Sequence, residues 1–258
     1  MSEVLASTPE KLDRIAAVLV QRGKAVLEAP AERPKFTEDV KANALVTNLE
    51  RYPHAYVIAC IMDRQIKAER AWEIPYRIRE RVGSFEFRRL RELSKADLVG
   101  AMRKPTTLHR YPAVMAANIY SAITLIDDKY GGDASRIWSG KPSSAAVVLR
   151  LLEFPGVGPK IATMAANLLA RLFKVRFSDY YSVDISVDVH VRRVLTRLGI
   201  VDAGALLERV VYAARAMSPE FPGLIDSPTF ELGRNVCRPR NPRCGKCYLR
   251  KYCPSARS

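Results

Sequence analysis

The stretch Leu152–Leu169, LEFPGVGPKIATMAANLL, restricts the fold more than any other part of the chain. It reads as the end of one helix, a tight Pro-Gly-Val-Gly turn and the start of a second helix. Gly156 and Gly158 stand where a turn this tight would press a Cβ against the backbone. Pro159 suits the first helical position, where its missing N–H costs nothing. Lys160 then falls in the first turn, among N–H groups with no intrahelical partner. Such an end carries partial positive charge and accepts anions, phosphate among them. Like charge there also disfavours an ammonium. Taken alone, a plain helical corner with a solvent-facing lysine is the simpler reading.

The rest of the chain changes that balance. Its 258 residues carry 42 Lys and Arg against 27 Asp and Glu, a formal net charge of +15. At 48% hydrophobic residues it is a folding chain, long enough for one large domain or two modest ones. A folded protein this basic points first to nucleic acid. No apolar run approaches the roughly 18 residues of a membrane span. The opening MSEVLASTPEKLDR has early acids and no apolar core, unlike a secretion signal. A cytoplasmic location, without a membrane partner, is expected. Five cysteines are present, and four of them, Cys237, Cys244, Cys247 and Cys253, crowd together after residue 236. An odd count with one cluster favours a metal site over a disulfide framework.

The reading in order is nearly all helical. Thr8-Pro9-Glu10 starts a first helix, with Thr8 as its cap. Thr37 is expected to cap a second that runs to about Glu50. Tyr56–Met62 is a continuous apolar run and is taken as a buried helix. Ala68–Val82 is a basic helix. Ser94 and Asp97 form a capping box. Pro105–Tyr111 is a loop rich in basic and aromatic side chains. Pro112 opens a long helix closed by Gly131-Gly132. Ser143 or Ser144 caps the helix that leads into the hairpin. The stretch from Val183 alternates at its start and becomes helical in pattern through Val191, Val194, Leu195 and Leu198, and two more helices follow at about 203–217 and 228–236.

Three pieces belong together: the hairpin FPGVGPK, Ser186-Val187-Asp188-Val189-His190, and Cys237-x6-Cys244-x2-Cys247-x5-Cys253. In this order they resemble the helix-hairpin-helix (HhH-GPD) DNA glycosylase superfamily, and within it the endonuclease III branch. The cysteine spacing and its lead-in, Glu231–Cys237, match that branch, and the resemblance covers roughly 52–254. It implies an all-α, two-lobed fold. One lobe is a helical barrel-like domain over 51–173 that carries the hairpin at 152–169. The other joins 1–50 to 174–258 and carries the cluster. It implies a monomer that acts on double-stranded DNA containing a damaged base or abasic site.

The resemblance also implies residue roles. Lys160 and Asp188 are the catalytic pair of a glycosylase with AP lyase activity. A lysine amine attacks C1′ and forms a Schiff base; a carboxylate stabilises charge developing on the sugar. Asp184 is a lesser competitor for the second role, and Asp188 also suits an N-cap. Gly156, Val157 and Gly158 face the DNA backbone. Gln65 fills the space left by the extruded nucleotide, and His109, Arg110 and Tyr111 meet the orphaned base. The four cysteines hold a [4Fe–4S] cluster; four thiolates also suit zinc, but only one short Cys-x-x-Cys knuckle exists. Arg238, Arg243 and Lys246 track phosphates beside the cluster.

The text departs from the branch at Met62-Asp63-Arg64-Gln65, where Ser-Ala-Gln is usual, and a Thr-Asp that normally follows is absent. The segment Arg176–Ser186 is longer than usual. A monofunctional glycosylase for an alkylated, deaminated or mispaired base is one alternative. A non-catalytic DNA-binding protein on the same scaffold is another.

Overall fold

The computed structural model describes residues 9–256, and among them every regular element is helical. The expected Thr8 cap lies outside the described residues. The helices are α1 (Pro9–Glu28), α2 (Val40–Val46), α3 (Pro53–Met62), α4 (Ala68–Val82), α5 (Phe87–Leu90), α6 (Lys95–Arg103), α7 (Pro112–Tyr130), α8 (Ser144–Leu152), α9 (Pro159–Arg171), α10 (Val189–Arg197), α11 (Leu207–Met217) and α12 (Asp226–Asn235). None of the described helices is long and apolar enough to cross a membrane.

The chain divides into two compact units. The first holds residues 1–31, 143–148 and 166–258; the second holds 32–142 and 149–165. This differs from the division drawn at 51 and 173. Residues 32–50 go with the second unit because α2 is bonded to α4: Thr37 donates to Glu73 at 2.7 Å and Arg77 donates to Asp39 at 2.8 Å. Asp39, not Thr37, caps α2, accepting from Lys41 and Ala42 N–H groups. The helix ends at Val46, short of Glu50.

The second unit is built round α3. All ten of its residues are buried, which explains an apolar run without periodicity. Helices α2, α4 and α7 pack against it. Phe36 stacks on Trp72 at 4.0 Å along one side. Helix α4 ends in left-handed Gly83, and α6 has the capping box of Ser94 and Asp97. Helix α7 stops at left-handed Gly131.

The first unit has its own core. Leu12, Ile15 and Leu19 of α1 meet Val191, Val194 and Leu195 of α10, with Val210 of α11 and Leu232 of α12. Leu249 and Cys253 join that core, so the cysteine loop is anchored in it. The segment Arg176–Ser186 is also tied down. Ser144 bonds Asp179, Tyr180 stacks on Phe221 at 4.6 Å, and Ser186 N–H donates to the buried Asp226 at 2.7 Å.

Candidate nucleic-acid and catalytic site

Each unit carries part of the expected site. In the second unit the hairpin joins α8 to α9. Gly156 has φ +88°, a left-handed conformation that favours glycine, and Val157 N–H donates back to Phe154 O at 3.0 Å. That bond closes the turn and occupies the Val157 amide, so of the three residues expected to face DNA, Gly156 and Gly158 keep amides with no partner among the described residues. Arg64 braces the turn, donating to Gly156 O at 3.2 Å.

Lys160 sits in the first turn of α9, its side chain 38% exposed. Its Nζ lies 2.9 Å from Oδ2 of Asp63, whose side chain is only 12% exposed. The sequence placed a helix end with partial positive charge around this amine; the structure adds a carboxylate as a direct partner. Asp63 stands at the C-cap of α3. It was visible only as a departure from the expected Ser-Ala-Gln text, which is the signal that marked it.

The two residues after Asp63 connect to the loop before α7. Gln65 is exposed and has φ +53°, an uncommon value for a residue with a Cβ. Its Oε1 accepts from the Tyr111 hydroxyl at 3.1 Å. Arg110 and Tyr111 are exposed, with the guanidinium 5.5 Å from the Tyr111 ring centroid. His109 differs from expectation, since it is 0% exposed. Tyr111 N–H donates to its Nδ1 at 3.1 Å, so the proton sits on Nε2, which donates to Arg64 O at 3.0 Å. Burial pushes its pKa down, in keeping with a neutral ring. His109 thus fastens the loop to residues 63–65, leaving Arg110 and Tyr111 to face solvent. Two arginines of α4 hold the same loop from behind. Arg70 donates to Leu108 O at 3.0 Å and Arg81 to Thr106 O at 2.8 Å.

In the first unit Asp188 is the N-cap of α10. Its Oδ1 accepts from His190 and Val191 N–H groups, each at 2.8 Å. That arrangement fixes the side chain and leaves Oδ2 without a partner among the described residues. Asp184 is engaged elsewhere, in a two-pronged pair with Arg215 at 2.8 Å.

Helix α10 also organises the cysteine loop. Arg193 donates to the carbonyls of Cys237 and Gly233 at 2.7 and 2.8 Å. Arg197 donates to those of Arg238 and Pro239, and its Nη1 lies 3.4 Å from Cys237 Sγ. Cys237, Cys244, Cys247 and Cys253 line one cavity of about 140 Å³. Among the described residues no three His, Cys, Asp or Glu side chains converge tightly enough to hold a single ion. Four thiols that line one cavity are a donor set suited to a thiolate-bound metal group. Burial pushes the Cys247 and Cys253 thiols up. Arg238, Arg243 and Lys246 are exposed around this loop.

Comparison with known proteins identifies a matching family and a shared fold. A family model described as "HhH-GPD superfamily base excision DNA repair protein" matches residues 58–214. Endonuclease III of Thermotoga maritima is 29% identical over 170 residues, 65% of this chain and 68% of that protein. Endonuclease III-like protein 1 of Gallus gallus is 30% identical over 146 residues, 54% of this chain and 43% of that protein. The solved structure of a trapped endonuclease III–DNA covalent intermediate superposes with a TM-score of 0.63 over 95% of this chain and 97% of that one. At 20% identity, that likeness speaks for the fold.

Proposed function

The chain belongs to the HhH-GPD superfamily of base excision DNA repair proteins, and on that footing we propose that it is a DNA glycosylase with AP lyase activity, using Lys160 as nucleophile. The observation that carries this reading is a lysine, part exposed and held by a carboxylate, on the first turn of the helix that follows the hairpin. The related endonuclease III that was trapped as a covalent intermediate with DNA lends it support.

The substrate is double-stranded DNA with a damaged base or an abasic site. The target nucleotide leaves the stack, because C1′ is inaccessible within a duplex. The Lys160 amine bonds to C1′ and the base departs with the electrons of the glycosidic bond. Opening of the sugar ring gives a Schiff base. Loss of a C2′ proton then expels the 3′ phosphate by β-elimination. The Asp188 carboxylate, oriented by two backbone N–H groups, stabilises positive charge developing on the sugar.

The amides of Gly156 and Gly158 receive a phosphate. Gln65, Arg110 and Tyr111 occupy the gap in the stack. Cys237, Cys244, Cys247 and Cys253 hold a [4Fe–4S] cluster. Bound there, the cluster serves as a structural template that presents Arg238, Arg243 and Lys246 to the DNA backbone. Borohydride reduction on an abasic duplex tests the reading. A covalent adduct that disappears in Lys160→Ala is expected; base release without any adduct would replace the lyase with a monofunctional glycosylase.

A further inference from the structure

We propose that Asp63 is a positioning residue for Lys160, which holds its amine in place and takes the proton that the ammonium must lose before attack; this rests on the role given to Lys160 above. The contact is direct, Nζ to Oδ2 at 2.9 Å, and the carboxylate is the more buried partner, at 12% exposed. Helix fields alone do not account for it. Asp63 caps the C-terminal end of α3, where carbonyls gather negative charge, and Lys160 sits in the first turn of α9, where N–H groups gather positive charge. Each charge occupies the helix end that repels it. The helix α4 shows the opposite, self-stabilising pattern, with Glu69 in its first turn and Arg79 and Arg81 in its last. Two unfavourable placements brought into direct contact with each other are what a site keeps for chemistry.

The carboxylate is also held in place. Helix α3 beneath it is buried along its whole length, and Asp63 N–H donates to Cys60 O at 3.1 Å. The following residue is pinned by His109 at its carbonyl and reaches Gly156 with its guanidinium. Asp63 therefore lies on a segment fixed on both sides.

In the reaction the Asp63 carboxylate takes one proton from the Lys160 ammonium. The freed nitrogen lone pair forms the bond to C1′, and the C1′–base bond breaks with its pair leaving on the base. Solvent carries the proton from Asp63 to that base nitrogen, which restores the carboxylate. The ring oxygen takes one of the two remaining amine hydrogens as its bond to C1′ opens, leaving the Schiff base.

Asp63→Asn is nearly isosteric and still accepts a hydrogen bond, but takes no proton; Asp63→Glu keeps the carboxylate. Single-turnover rates of borohydride-trapped adduct are measured on an abasic duplex. Binding is measured separately on a duplex carrying a tetrahydrofuran abasic analogue. The expected result for Asp63→Asn is a trapping rate down by about a hundredfold, the lower end of what a positioned proton acceptor contributes, with unchanged binding. Asp63→Glu recovers much of that rate. Trapping by Asp63→Asn at the wild-type rate, in a protein whose Lys160→Ala variant does not trap, overturns the role of Asp63 and leaves Lys160 standing. A loss confined to binding overturns it as well. A wild type that forms no adduct removes the nucleophile and this assignment together. Should Asp63→Asn melt early, Asp63→Glu decides, since a restored carboxylate without restored trapping refutes the proposal.

Discussion

The two hairpin glycines carry different duties, and one pair of substitutions separates them. At Gly156, φ is +88°, and an added Cβ would lie 2.4 Å from Asn118 Nδ2, 3.2 Å from its Cγ and 3.4 Å from Arg64 Nη1. An L-residue in a left-handed conformation costs about 1–2 kcal/mol. Displacing Asn118, a side-chain tip on α7, adds about 1 kcal/mol more, as overpacking does elsewhere. Gly156→Ala is therefore expected to lose about 2–3 kcal/mol, a fall of roughly 5–10 °C in Tm for a chain of this length. It also disturbs Arg64, the brace on Gly156 O.

At Gly158 nothing lies within 4 Å of the added carbon and no positive φ is required. Alanine before a helix costs about 0.5–1 kcal/mol relative to good caps, and a stiffer unfolded chain returns about as much. Gly158→Ala should melt with the wild type. Its methyl group nonetheless crowds the Gly158 amide, to which the phosphate is assigned. DNA affinity should fall by about tenfold, the worth of one charge-assisted contact. Thermal melts followed by circular dichroism, and anisotropy titrations with a labelled duplex at one fixed salt concentration, read both quantities. The reasoning fails if Gly156→Ala melts like the wild type. It fails equally if Gly158→Ala binds DNA unchanged.

Two further expectations concern the units separately. Cys247→Ser removes one of the four thiols lining the loop cavity, so visible absorbance, iron content and DNA affinity should drop together, and the first unit should melt earlier because Leu249 and Cys253 belong to its core; a colourless wild type carrying zinc would refute the cluster. In the second unit His54 is buried, holds Phe85 O at 2.8 Å, and has its pKa pushed below the ordinary value by burial. Below about pH 6.5 the unfolded chain binds a proton at this residue that the folded chain does not, so stability should fall as pH drops from 7 toward 5. Tm measured across that range should decline in the wild type and flatten in His54→Gln; an equal slope in both would show that other groups set it.

Local signals carried much of the fold. Helix α4 begins and ends where its sequence says, at Ala68 and Val82 ahead of left-handed Gly83. The capping box of Ser94 and Asp97, the glycine stop of α7 and the hairpin glycine with positive φ were all legible. Each depends on residues within one or two helical turns, which is the range over which capping and φ preferences act. The second helix was misread at Thr37 because two candidate caps lie two residues apart. What decided between them was the pairing of Thr37 and Asp39 with α4, 36 and 38 residues away.

By itself the sequence determined an all-helical chain, the hairpin with its lysine, the Asp188 cap and a cysteine loop of fixed spacing. Tertiary structure alone decided what surrounds them. It seated Asp63 against Lys160, 97 residues apart, and put His109 inside the loop it was expected to extend toward DNA. It also assigned α2 to the unit built on α3. Periodicity and capping report which face or end of an element is apolar or polar. They hold no record of which other element will meet it, and an ion pair between two helix ends exists only once both ends have been packed.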